Sequence, residues 1–120
     1  MPLRLRRHVA PLLLFTLITI AWLWPVLRHI GLVVPGAGAG DNLAFVWNAW
    51  WMHQVLSGGG SFFRTPLLFA PFGVDLTLHT HTALPSAAAA LLFPGSAVVG
   101  TNLLIAVHLF LNFATTYALA

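Results

Sequence analysis

Asp41 is the second residue of the stretch GDNLAFVWNAWWMHQVL and one of only two carboxylates in a chain of 120 residues, the other being Asp75. Two roles suit an aspartate in that place. Just before a helix it is a favoured N-cap, accepting a hydrogen bond from a free backbone N–H for about 1 kcal/mol. With one oxygen left free it is also an acid or base for chemistry. An exposed aspartate titrates near pH 4, so base work at neutral pH would require burial beside the neighbouring tryptophans to raise its pKa.

Histidines supply the other reactive groups. His79 and His81, in the run HTHT, share one side if the backbone there is a strand, a spacing that suits a metal ion. Two histidines lacking a third ligand do not define a site, so no metal is predicted and the pair reads as interfacial. His108, Asn112, Thr115 and Thr116 follow helical i, i+4, i+7 and i+8 spacing, with Thr101 one heptad earlier on the same side. In an apolar segment such a stripe turns toward protein or a wet cavity. Hydrogen bonding to neighbouring helices, at about 1 kcal/mol or less per contact, is its first reading, and His108 lining a substrate path is the second. There is no cysteine, which excludes disulfides, thiolate metal sites and a cysteine nucleophile.

The elements that must position these groups follow from composition. Hydrophobic residues make up 59% and charged residues 6%, with a mean hydropathy of +0.91. An ordinary soluble domain is about 25% charged, so an all-α membrane protein is predicted. Three transmembrane helices are expected, over about residues 9–27, 78–93 and 101–120. The first holds no charge and is long enough for roughly 30 Å of hydrocarbon. The second is short for a span and needs tilt, or the polar residues at its start, to cross. Pro94 and Gly95 mark the turn before the third.

Arg4, Arg6 and Arg7 precede the first helix and Arg28 follows it. This positive-inside bias places the N-terminus in the cytoplasm, with Trp22 and Trp24 near the outer surface. The net charge of +3 therefore describes a basic N-terminal tag, and no nucleic-acid partner is predicted. A cleaved signal peptide, with small residues near Ala37 and Ala39, is the rival reading; the apolar core is longer than a signal core and sits well before those residues.

Residues 28–77 then form an outer loop. From Asp41 to Leu56 the pattern is helical, with Leu43, Val46, Trp47, Trp50 and Trp51 on one side and Phe45, Met52 and Leu56 opposite. Such a helix belongs in the membrane interface. The run SGGG ends it. The following stretch, SFFRTPLLFAPFGVDLTLHTHTALP, reads as irregular, with Pro66, Pro71 and Gly73 as turn residues.

The order of these segments carries a resemblance. A basic N-terminus, one helix, an outer loop with GDN before a tryptophan-rich helix, a glycine break, LLFAPFGVDLTLHTHT and a pair of membrane helices together resemble the N-terminal part of the bacterial integral-membrane glycosyltransferases of the GT-C superfamily. The resemblance covers nearly the whole chain and is most specific over residues 40–85. It implies a multi-helix enzyme of the bacterial cytoplasmic membrane, transferring a sugar from a polyprenyl-phosphate donor at the outer face. In that superfamily an acidic residue of the first outer loop is functional, and Asp41 matches it.

On that resemblance Asp41 is the candidate catalytic base, taking the proton from an acceptor hydroxyl as the sugar leaves its lipid phosphate. Arg64 and Arg28 are candidate clamps for the phosphate, with interfacial anchoring as their ordinary alternative. Trp47, His79 and His81 complete the candidate substrate-binding residues. Many family members carry paired acids where this chain has Asp41 followed by Asn42 and Leu43, so a paired-acid metal site is not expected and no cofactor is assigned. The expected partners are the lipid bilayer, the lipid-linked sugar, and either the remaining helices of a longer chain or a membrane partner, met through His108, Asn112 and Thr116. Residues 1–120 alone are expected to be inactive. The alternative is a small non-enzymatic membrane protein that binds a larger partner through the His108 face; part of a transporter is a third, weaker reading.

Overall fold

The computed structural model describes residues 2–36, 40–79 and 82–120, with side chains from His8 onward. Four helices and one short hairpin are present among them: α1 (Pro2–Leu27), α2 (Asp41–Leu56), β1 (Arg64–Thr65), β2 (Val74–Asp75), α3 (Ala83–Leu92) and α4 (Ala97–Leu119). The strands pair antiparallel, Arg64 opposite Asp75 and Thr65 opposite Val74. The molecule measures 61 × 30 × 25 Å.

Two helices are long and apolar enough to cross a membrane, over His8–Leu27 and Ala97–Leu119. The predicted span at 78–93 is not one of them. α3 has ten residues, or about 15 Å at 1.5 Å per residue, half the thickness of a hydrocarbon core. The three-span expectation is therefore not supported: two helices qualify by length and composition. It would also have set the first and last helices parallel, whereas they run antiparallel. His8 and Tyr117 meet at one end, with Nδ1 3.2 Å from the phenol oxygen, and Phe15 stacks on Phe113 one step inward at a ring separation of 5.7 Å. At the other end Asn102 of α4 reaches the turn that follows α1.

That second junction is polar and buried. Asn102 Nδ2 donates to the carbonyls of Ile30 and Val33, both at 2.7 Å, while Oδ1 is buried with no partner among the described residues. The donors of Asn102 thus close the turn made by His29, Leu32 and Val33.

α3 and α4 form a helical hairpin through the turn at 93–96, and small residues set its spacing. A Cβ placed on Gly100 would lie 2.9 Å from Ala89 Cβ and 3.1 Å from the Ala89 carbonyl oxygen, so only glycine lets the backbones approach this closely. α4 begins at Ala97, four residues earlier than read from the sequence. Ser96 is its N-cap, the hydroxyl accepting from Val99 N–H at 3.2 Å.

α2 has the bounds expected from its sequence, and the structure shows which side it turns inward. Asn48, Ala49, Trp51 and Met52 are buried, with α3 and α4 packed against the helix, while Leu43 and Trp50 are exposed. The hairpin hangs from the C-terminal half of α2. Trp51 Nε1 donates to the Ser61 carbonyl at 3.2 Å, and Leu76 N–H donates to the Phe63 carbonyl at 2.8 Å. Thr65 and Leu76 are its fully buried residues. Gly73, at φ +72°, closes the loop where a Cβ would lie 2.8 Å from the Thr65 carbonyl oxygen.

Candidate functional site

Asp41 is the first residue of α2 and is exposed. The N-cap is Gly40, and no side chain caps the helix, so the N-cap expectation for Asp41 is corrected. Its carboxylate instead lies in the first turn, where the positive end of the helix dipole favours a negative charge by about 0.3–1 kcal/mol. The burial beside tryptophans that base chemistry calls for is not present. Next to it, Asn42 Nδ2 donates to the Pro35 carbonyl and ties down the connection that leads into the helix.

The two candidate arginines are placed differently from each other. Arg64 lines a cleft of about 550 Å³ with Trp50, Trp51, Gln54 and Phe72, on the C-terminal half of α2. Asp41 lies at the other end of that 16-residue helix, about 24 Å long. The fold therefore separates Asp41 from Arg64. Arg28 is exposed in the connection that ends at Asp41, its N–H bonded to the Trp24 carbonyl at 3.1 Å.

Trp47 and His79 come together at the middle of α2. Their rings meet edge to face at 5.8 Å, Trp47 stacks on Trp51 at 5.9 Å, and His79 Nε2 donates to Asn48 Oδ1 at 2.9 Å. This ties the segment after β2 to the buried side of α2. His79 sits in a bend and not in the strand on which the His79 and His81 metal pairing was drawn. His81, like Ala37 and Ala39, lies outside the described residues. Among those that are described, no group of three metal-ligating side chains occurs.

Asp75, opposite Arg64, is turned onto its own chain. Its Oδ1 accepts from Thr77 N–H at 2.7 Å and from the Thr77 hydroxyl. Those bonds, the side-chain one foremost, hold the carboxyl below the usual aspartate range, and the Arg64 charge adds to them.

The polar stripe of α4 divides in two. Thr115 and Thr116 bond back to the carbonyls of Leu111 and Asn112, each at 2.7 Å, and need no other partner. His108 Nδ1 donates to the Leu104 carbonyl at 2.7 Å. Thr101, His108 and Asn112 line an apolar cleft of about 390 Å³ between α2, α3 and α4, with Phe45, Pro85 and Leu109 among its walls. Thr101 is 6% exposed, and its hydroxyl has no partner among the described residues. Sequence reasoning reached these three residues but missed the Thr82 and Ser86 hydroxyls, 3.0 Å apart on the same cleft. The i, i+4 spacing of Thr82 and Ser86 was the available signal.

No protein family, curated protein or solved structure matches this chain.

Proposed function

We propose that the chain is an integral membrane protein and the N-terminal membrane region of a glycosyltransferase that uses a polyprenyl-phosphate sugar. The observation that carries the membrane reading is the exposure of the two long helices. Of the most apolar stretches of α1 and α4, only 11% and 17% is buried within the molecule. A core helix of a water-soluble domain would be covered, whereas here Leu13, Leu17 and Ile20 of α1 and Leu111 of α4 are exposed. Lipid satisfies such a surface at no cost. The N-terminus is assigned to the cytoplasm by its arginines, and the head built from α2, α3 and the hairpin to the outer face of a bacterial cytoplasmic membrane.

The transferase reading rests on the resemblance over residues 40–85 and on Asp41, whose carboxylate is committed to no side-chain cap bond. In this reading Asp41 accepts the acceptor's proton, and Arg28 is the cation on its connection. Arg64, at the far end of α2, is left to a different contact. The enclosure that base chemistry at Asp41 needs has to come from further membrane helices. The test is to make Asp41→Asn in the complete reading frame and assay membranes for sugar transfer from polyprenyl-phosphate donors. A stable, inactive protein supports the reading; an active one removes Asp41 from the chemistry.

One observation favours the second reading, a non-enzymatic membrane protein that docks a partner helix. The cleft lined by Thr101, His108 and Asn112 is apolar and holds an unpartnered buried hydroxyl, as an interhelical contact surface would. Absence of sugar transfer by the unaltered protein, with a co-purifying membrane protein that is lost in His108→Ala/Asn112→Ala, would favour it.

A further inference from the structure

The loop joining β1 to β2 has no place in the chemistry above, yet it exposes several large apolar side chains. Leu67, Phe69 and Phe72 project from it at 54%, 77% and 84% exposure, flanked by Phe63 and by Leu78 at 99%. Two phenyl rings and a leucine exposed to this degree on a single loop are not explained by packing within the molecule.

The loop is also stiffly held. Thr65 is fully buried at its base and its hydroxyl accepts from Leu67 N–H at 3.2 Å, while Phe69 accepts from both Phe72 and Gly73 N–H groups across the turn. Gly73 closes the base where any Cβ would collide with Thr65. A loop that orders apolar side chains outward loses little entropy when they are covered.

Charge indicates what covers it. Arg64 stands at the base of the loop, and from residue 57 to residue 74 there is no acidic side chain. The nearest acid, Asp75, has its Oδ1 occupied by Thr77. An apolar tip above an exposed arginine whose one nearby acid is already engaged by Thr77 matches a lipid surface, hydrocarbon for the rings and headgroup phosphate for the guanidinium. We propose that the β1–β2 loop is a lipid anchor that dips Leu67, Phe69 and Phe72 into the bilayer interface, with Arg64 on the phosphate layer. This rests on the membrane reading and adds to it a second attachment, independent of the two long helices, that fixes the tilt of the head.

The absence of cysteine makes the test direct. Ala70→Cys at the loop and Leu17→Cys in α1 are each labelled with an environment-sensitive fluorophore, and the full chain is placed in nanodiscs containing lipids brominated at chosen depths. The expected result is deep quenching at position 17, and blue-shifted emission with shallow quenching at position 70. Phe69→Ser/Phe72→Ser should abolish the signal at position 70 alone, and Arg64→Gln should weaken its dependence on anionic lipid. Quenching at 17 without quenching at 70 overturns the anchor and leaves the membrane reading intact. No quenching at either position overturns both. A label at 70 shielded from aqueous iodide yet untouched by brominated lipid means that a second copy covers the loop, and the anchor fails.

Discussion

Nδ1 of His8 lies 3.2 Å from the hydroxyl of Tyr117, so the first described side chain of α1 meets the last turn of α4. The two long helices are antiparallel. If both cross the bilayer, the two ends of the chain share one side. Reporters fused before residue 1 and after residue 120 should then both read as cytosolic. An external reading at the C-terminus with a cytosolic N-terminus would restore a third crossing.

Gly100 sets the separation of α3 and α4 through its contact with Ala89. Gly100→Val has to push the two helices apart, and overpacking of this kind costs about 1–3 kcal/mol. A lowered unfolding midpoint in detergent, with little effect from Gly95→Ala at the open turn, is the expected pattern.

Asn102 is the only side chain that bonds the 30–33 turn to α4 among the described residues. Asn102→Leu removes both hydrogen bonds to the turn, at about 0.5–1.5 kcal/mol each. Hydrogen exchange over residues 28–36 should rise in this variant while the α2 signal is unchanged. Equal protection in both proteins would contradict the role given to Asn102.

Asp75 links the hairpin to pH. Its folded pKa is depressed by Thr77 and Arg64, so the stability it contributes is present above the unfolded aspartate value, about 3.9, and is lost as pH falls through the lower folded value. Thr77→Val removes the side-chain bond, the largest cause. Carboxyl carbon NMR should show the Asp75 titration moving up toward that of a free aspartate, with the loss of hairpin order beginning at a higher pH.

Asp41 makes no side-chain cap bond, so Asp41→Asn and Asp41→Ala should each change stability by no more than the helix-dipole effect, under about 1 kcal/mol. A larger loss in chemical denaturation would mean that the carboxylate has a structural partner.

How much of this was legible in the sequence varied with the physical signal. α2 was found to the residue because GDN opens it and SGGG closes it, both strong local cues. Which of its sides is buried was not readable, because both sides carry apolar residues and the helix packed against it, α3, buries only the small residues Ser86, Ala89 and Ala90. The same smallness made a ten-residue helix read as a span: an alanine-rich run is apolar enough to pass for lipid-facing while serving as a packing surface. The hairpin left no period-two pattern, since each strand is only two residues long. On α4 the polar stripe was visible as spacing, but which of its members are satisfied by their own helix depends on rotamers that spacing does not encode. Asp41 and Arg64 were paired as acid and clamp; the length of α2 between them was already readable and argued against it.

Asn102 stands 72 residues after Ile30 and 69 after Val33, the carbonyls it serves. On the ribosome, the turn that closes α1 is therefore made long before the amide that completes it. Until α4 emerges and folds back, that bend holds two open acceptors, and its shape is decided by the arrival of α4.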